Sequence, residues 1–351
     1  MPALALPLVD QRSAPPDLRP IAWWLLACCA MVFVMVVLGG ITRLTESGLS
    51  ITEWQPISGI LPPLNAAQWQ AEFERYQAIP QYRAIHAEMD LAAFKTIFFW
   101  EYLHRLWGRL IGLVFAVPFV YFLLRRRIPR VLAPKLALLF ALGAVQGLIG
   151  WYMVMSGLEN RIEVSQYRLA VHLGMAVLIY AAMFWVALDL LSARAAAQQP
   201  RLRRALNLVL GLIFLTIIAG SFVAGLRAGY IYNSFPLMNG ALTPDDYWRL
   251  APFYANWFEN PGAAQFDHRL LAEFSALAIV VLWAFSRRAT LRSATRRWLD
   301  LLLAMALIQP ALGIATLLWV VPLPVAILHQ AGALMLLTAA LGARHSLRAV
   351  V

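Results

Sequence analysis

The chain has 351 residues, of which 61% are hydrophobic and 13% charged, and its mean hydropathy is +0.67. A soluble domain carries about 25% charged residues, so this composition excludes a soluble fold. Apolar runs of about 20 residues recur, each long enough to cross a hydrocarbon core about 30 Å thick, which excludes a β-barrel built of short alternating segments.

The first 20 residues are Pro-rich, with Arg12 and Arg19 as their basic residues. They read as neither a transit peptide nor a cleavable signal. The apolar run behind them is too long for a signal core and lacks a clear small-x-small site, so it reads as a retained helix. Apolar runs then lie near 21–40, 98–123, 133–154, 168–191, 204–225, 268–286, 297–319 and 324–343. Two long polar loops, 41–97 and 226–267, separate some of them. The expected fold is an all-α integral membrane protein, with eight transmembrane helices forming two parallel-repeat four-helix bundles. The halves are residues 1–195 and 196–351. Cysteine is confined to Cys28 and Cys29 in the first run. They read as small apolar residues, with no disulfide and no thiol-bound metal.

Charge orients the spans. With the N-terminus in the cytoplasm, the inner segments hold Arg12 and Arg19, then Arg125, Arg126, Arg127, Arg130 and Lys135. They also hold Arg194, Arg201, Arg203 and Arg204, then Arg287, Arg288, Arg292, Arg296 and Arg297, and lastly Arg344 and Arg348. These are the majority of the 29 basic residues. This positive-inside pattern places both termini in the cytoplasm. It explains the net charge of +11 through anionic lipid headgroups, with no nucleic-acid partner.

Spans one to four and five to eight read as copies of one unit. Gly39-Gly40 answers Ala219-Gly220. The stretch from Ser47-Gly48-Leu49 to Trp54-Gln55-Pro56 answers Ala228-Gly229-Tyr230 to Ser234-Phe235-Pro236. His104-Arg105-Leu106 answers His268-Arg269-Leu270, Gln146 answers Gln309, and His172 answers His329. Four is an even number of spans, so the repeat is parallel rather than inverted. Small residues on spans three and seven (Gly143, Gly147, Gly150; Ala311, Gly313, Ala315) suit close helix packing or leave room for a flat macrocycle.

His104, His172, His268 and His329 all fall at the outer ends of their spans in this topology. Ionisable groups inside a membrane are functional candidates by default. One such histidine could be an interhelical hydrogen-bonding residue, but four in a duplicated pattern point to metal. Zinc draws on a larger ligand set. Two neutral imidazoles on opposing helices suit a heme iron, which pairs His104 with His172 and His268 with His329. His86 and His345 have no counterparts and read as solvated surface residues. Arg105 and Arg269 can hold propionates bidentately, or can snorkel to the interface. Glu101 precedes His104 by one turn and shares its face, whereas the matching residue before His268 is the neutral Gln265. A carboxylate beside only one heme marks that heme as the reacting one. The plainer reading pairs Glu101 with Arg105 or Lys95.

Several motifs resemble heme A synthase, in the form shared by alphaproteobacteria and mitochondria. They are Gly39-Gly40-Ile41-Thr42-Arg43-Leu44-Thr45, Ser47-Gly48-Leu49-Ser50, Trp54-Gln55-Pro56, Gly59-Ile60-Leu61-Pro62-Pro63 and Glu101-Tyr102-Leu103-His104-Arg105. Asp267-His268-Arg269 and Leu328-His329-Gln330 carry the resemblance into the second half. The resemblance implies oxidation of the C8 methyl group of heme O to a formyl group, giving heme A for cytochrome oxidase. It implies a heme b cofactor on His268 and His329 beside Arg269, heme O near His104, His172 and Arg105, and a catalytic role for Glu101. The implied reaction is two hydroxylations and a dehydration, using molecular oxygen and a separate electron donor, ferredoxin-like or quinol. It implies a bacterial inner membrane location, with the heme sites towards the periplasm, and heme O synthase as a partner. Oligomeric state stays open. The cysteine pair found in an outer loop of some bacterial members is absent here. A diheme cytochrome b and a heme transporter are the rival readings.

Overall fold

The arginine-rich connections and the two long loops lie at opposite ends of a bundle of eight apolar helices. The computed structural model describes residues 17–55, 58–159, 162–191 and 199–348. The Pro-rich start with Arg12, and also Pro56 and Arg194, lie outside the described residues. Among those described there are eleven α-helices and no β-strand. They are α1 (Arg19–Leu44), α2 (Ala66–Gln77), α3 (Pro80–Ile85), α4 (Leu91–Leu124), α5 (Ala133–Glu159), α6 (Gln166–Leu191), α7 (Pro200–Gly225), α8 (Asn256–Glu259), α9 (Pro261–Ser286), α10 (Ser293–Leu318) and α11 (Leu323–Ser346). Eight of these are long and apolar enough to cross a membrane. A helix of 26 residues, such as α1, is about 39 Å long, more than a hydrocarbon core needs. The protein is an all-α integral membrane protein.

Two spans start earlier than the apolar runs suggest. Helix α4 begins at Leu91, where the Asp90 side chain accepts from the Ala93 amide at 2.7 Å. Helix α9 begins at Pro261, where the Asn260 side chain accepts from Gly262 and Ala263. An Asp or Asn N-cap, with proline at the first helical position in α9, starts a helix whatever the polarity of its first turns. His268 therefore lies two turns inside α9 and not at its start.

The helices form two rings with the same neighbour order. In the first, α1 packs on α4, α4 on α5, α5 on α6 and α6 on α1. In the second, α7 packs on α9, α9 on α10, α10 on α11 and α11 on α7. The rings meet where α1 touches α11, α6 touches α7, and α6 touches α11. Exchanging the halves maps this seam onto itself, so the parallel repeat of the sequence is a two-fold relation in space. A shared apolar core runs through both rings and includes Leu25, Leu136, Leu206, Ile279 and Leu302.

The long loops differ. The first contains α2 and α3; Phe73 and Tyr76 of α2, with Ile79 between the two helices, pack on Phe94, Ile97 and Phe98 of α4. The second holds only short turns, α8 and one isolated β-bridge between Met238 and Ala241. His86 is not a solvated residue. Its ring meets the Tyr76 hydroxyl at 2.5 Å and the Glu46 carboxylate at 3.3 Å. His345 is buried too, 2.7 Å from Asp189 on α6 and edge-on to Trp185. Both surface readings fail for one reason: each histidine is covered by a residue distant in the chain. Cys28 and Cys29 are buried free thiols within α1, as expected.

Candidate functional site

In each ring the two membrane histidines stand on diagonally opposed helices. His104 is on α4 and His172 on α6, while His268 is on α9 and His329 on α11. All four helices begin at the long-loop end. His172, His268 and His329 lie six, seven and six residues into theirs, and His104 thirteen residues into the longer α4. The four imidazoles thus share one end of the bundle.

Each imidazole lies against a glycine of the adjacent helix. A Cβ on Gly39 of α1 would stand 3.4 Å from His104 Nε2, and one on Gly150 of α5 would stand 2.9 Å from His172 Cε1. One on Gly220 of α7 would be 3.0 Å from His268 Cε1, and one on Gly313 of α10 would be 2.9 Å from His329 Cε1. The repeat therefore pairs Gly39, not Gly40, with Gly220. One turn before three of these glycines sits a partner for an imidazole nitrogen. Gln146 Nε2 is 3.0 Å from His172 Nδ1, and Gln309 Nε2 is 3.2 Å from His329 Nδ1. His268 Nδ1 donates to the Thr216 carbonyl at 3.1 Å. His104 has no hydrogen bond among the described residues; Met35 occupies the position that Thr216 fills in the other half.

The second pair fits a heme iron well. The His268 and His329 ring centroids are 6.4 Å apart and nearly perpendicular, at 86°. Metal–imidazole bonds of about 2 Å on either side of one ion would set two ring centres roughly 6 Å apart. His268 Nδ1–H is held by a carbonyl, which leaves Nε2 free to ligate. No comparable ring contact joins His104 to His172. Among the described residues no three His, Cys, Asp or Glu side chains converge as a closed metal-ion site would need.

Glu101, Arg105 and their counterparts form a helix–loop clasp in each half. Glu101 is 2% exposed. Its Oε1 accepts from Arg105 Nη2 at 2.6 Å and Nε at 3.1 Å, and its Oε2 accepts from Ser50 Oγ and Ile51 N at 2.7 Å each. Arg105 also donates to the carbonyls of Ile51 and Glu53. In the second half Arg269 donates to the carbonyls of Tyr232 and Ser234 and to Gln265 Oε1. Gln265 Nε2 donates to the carbonyls of Ala228 and Ile231. Both arginines bind backbone at matching loop positions, and neither snorkels. The pairing of Glu101 with Arg105 is the plainer reading, and Lys95 instead lies over the Trp69 ring.

Sequence reasoning missed the glycine contacts as contacts, and it missed Thr216. The repeated spacing Gln146…Gly150 and Gln309…Gly313 was visible, but nothing in it said that one histidine is gripped by both. It also missed Gln330, whose Nε2 crosses between the halves to the Val36 carbonyl at 2.9 Å. Gly40 of α1 faces that same amide.

The chain is similar to several known proteins over nearly its whole length. Residues 22–341 match the family model of cytochrome oxidase assembly proteins, COX15-CtaA. The chain is 53% identical over 334 residues to heme A synthase of Nitrosospira multiformis, covering 94% of each chain. It is 52% identical over 345 residues to heme A synthase of Rhodospirillum centenum, covering 96% of this chain and 91% of that one. It is 46% identical over 342 residues to human heme A synthase COX15, covering 95% and 83%.

Proposed function

The chain belongs to the COX15-CtaA family of cytochrome oxidase assembly proteins, and from that premise we propose that it is a heme A synthase. It oxidises the C8 methyl group of heme O to a formyl group. The observation that carries the reading is the identity of about half of all positions with heme A synthases over nearly the whole chain. The bis-imidazole geometry of His268 and His329 supports the cofactor site.

The second half, 196–351, holds heme b on His268 and His329, and when bound there heme b supplies one-electron redox chemistry. The first half, 1–195, takes heme O at His104 and His172. Each hydroxylation of the methyl carbon by molecular oxygen consumes two electrons and two protons and releases one water. Two hydroxylations give a gem-diol, and its loss of water leaves the formyl group. The electrons come from a separate donor, ferredoxin-like or quinol. Heme O synthase is the natural supplier of substrate. The positive-inside pattern supports an inner-membrane location with both termini in the cytoplasm and the heme sites towards the periplasm.

Glu101 acts as a positioning group. Both of its oxygens are fully bonded, which speaks against proton carriage, and Arg105 offsets much of its charge. What it does directly is hold residues 50–53 against α4 one turn from His104. Arg105 donates to Glu101 and two loop carbonyls, and Arg269 donates to Gln265 and two loop carbonyls while its Nε is buried without a partner, so a propionate would compete with the loop for these donors.

A diheme cytochrome b that relays electrons across the bilayer is the weaker reading, because all four imidazoles lie at one end of the bundle. Expression in cells that make heme O but lack their own heme A synthase tests the proposal. Mass analysis of extracted hemes should show heme A. Cells that accumulate only heme O and heme B would overturn it.

A further inference from the structure

Gln146 on α5 and Gln309 on α10 are equivalent residues in the repeat, and no step above uses either. Each makes two matching contacts and leaves its Oε1 unpaired, and Gln146 Nε2 also lies 3.5 Å from His172 Nε2. Gln146 Nε2 lies 3.0 Å from His172 Nδ1 and donates to the His172 carbonyl at 2.9 Å. Gln309 Nε2 lies 3.2 Å from His329 Nδ1 and donates to the His329 carbonyl at 2.8 Å. Both Oε1 atoms are buried with no hydrogen-bond partner. A buried amide oxygen without a partner is destabilising, and the same cost recurs at the same place in both halves. Packing alone would be served by leucine or methionine at less expense.

We propose that Gln146 and Gln309 are positioning residues for the axial histidines, each gripping an imidazole by Nδ1 and so setting how strongly its Nε2 donates to iron. The proposal rests on reading His172 and His329 as iron ligands. The grip has two points on one helix face, one turn apart. Gln309 holds Nδ1 while Gly313 touches Cε1, and Gln146 and Gly150 do the same for His172. The ring then has little freedom to rotate, and Nε2 is the nitrogen left for the slot.

The choice of an amide also has a chemical reason. An imidazole bound to metal through Nε2 carries its proton on Nδ1 and needs an acceptor there. A primary amide offers a donor at one end and an acceptor at the other in nearly the same volume. Turning it about its last torsion presents Oε1 to Nδ1–H and gives up the bond of Nε2 to the histidine carbonyl. The orphaned oxygen gains a partner in the ligated state. The same residue thus serves the ring in either tautomer, which neither a carboxylate nor an apolar side chain can do. An acceptor on Nδ1–H makes the ligand more basic and favours the oxidised iron.

The test uses the full-length protein purified with heme b, and reads the heme b midpoint potential by optical redox titration. Gln309→Met keeps the volume and removes the amide; Gln309→Glu keeps an acceptor and adds charge. Gln309→Met should raise the potential and Gln309→Glu should lower it. The Fe(III)/Fe(II) ratio at fixed poise should change about tenfold in each, which is about 59 mV for a one-electron couple. Loss of heme b from Gln309→Met with retention in Gln309→Glu also supports the role, since the acceptor rescues binding. Full heme b at an unchanged potential in both variants overturns it, and so does equal loss of heme b from both. Gln146→Met gives an independent arm: heme O titrated into the detergent-solubilised protein should bind about tenfold more weakly, and unchanged binding overturns the Gln146 half. Failure of the site reading itself looks different, because His329→Ala would then retain full heme b.

Discussion

The two halves share a helix order, a clasp, four matched glycines and two matched glutamines, yet only the second half anchors both of its imidazoles. In the second half His268 is tied to the Thr216 carbonyl and its ring stands 6.4 Å from that of His329. Gln309 is seated against Gly332 on α11. In the first half His104 has no such tie and no ring contact with His172, and the position equivalent to Gly332 is Met175. A resident cofactor should be held by preset ligands. A substrate has to enter and leave, and a ligand without an anchor can let it go at lower cost. The duplication supplied one scaffold, and the anchoring of a few side chains sets apart what each copy does.

The sharpest way to break this comparison is to remove a ligand from each half. His268→Ala and His329→Ala should abolish heme b, measured as pyridine hemochrome per protein, and with it all heme A formation. His104→Ala and His172→Ala should leave heme b at the level of the unaltered protein while stopping product. Heme b retained in full by either second-half variant would reverse the assignment of the halves.

Much of this was legible in the sequence, for identifiable reasons. Eight apolar runs and their basic connections express a long-range demand of the bilayer, and each run carries its own signal. The four histidines stood out because ionisable groups in a membrane are rare, and the repeat doubled the signal. What escaped reading depends on contacts between distant segments. Gly220 looked like half of a small-residue pair, and only the fold places His268 upon it. His86 looked exposed until Tyr76 and Glu46 closed over it. The starts of α4 and α9 were misjudged because caps, not hydropathy, begin those helices. The bonding of Glu101 to Arg105, the Ser50 hydroxyl and the Ile51 amide needed the first loop folded back.

The clasp offers the next largest effect. Glu101→Gln would put an amide N–H₂ where Ile51 N–H or an Arg105 donor now finds an acceptor, leaving a buried donor unpaired at about 1–3 kcal/mol. Misplacement of residues 50–53 should make heme A formation fall about a hundredfold with heme b content unchanged. An unchanged heme A yield would remove Glu101 from the site. Gln265→Glu is the mirror experiment. A carboxylate there would face the Ala228 and Ile231 carbonyls, to which Gln265 now donates, so it should lower thermal stability and heme b content together. If both substitutions were silent, the clasp would be incidental in both halves.

The glycines separate the halves more gently. In Gly313→Ala the new Cβ would lie 2.9 Å from His329 Cε1, and in Gly150→Ala the same distance from His172 Cε1. Forcing an extra methyl into a packed site costs about 1–3 kcal/mol. Gly313→Ala should therefore lower the midpoint of thermal unfolding and lose part of the heme b. Gly150→Ala should cost less stability, because the ring it displaces makes no ring contact with His104, and should appear mainly as weaker heme O binding. Equal losses of heme b in the two variants would erase the distinction between a preset and an adjustable site.

The smallest effect lies on the seam. Glu46 and Arg227 are equivalent in the repeat, and both adopt left-handed backbone, with φ of 55° and 53°. Strict two-fold symmetry would set identical residues face to face there. The chain instead sets opposite charges 2.8 Å apart. Arg227 also meets Glu163 at 2.9 Å, and Arg43 meets Glu163 at 3.3 Å. The Arg227 side chain is 42% exposed, so water and salt screen its pairs with Glu46 and Glu163, and exposed ion pairs contribute about 0–1 kcal/mol. The apolar contacts of α1 with α11 and of α6 with α7 should therefore hold the halves together, and the charges should only set their register. Arg227→Ala is expected to shift thermal unfolding slightly, by less than Gly313→Ala, and the shift should vanish at high salt. A salt-resistant loss of several kcal/mol would mean that the halves are joined by charge, and that differences between them arise at their seam as much as at their histidines.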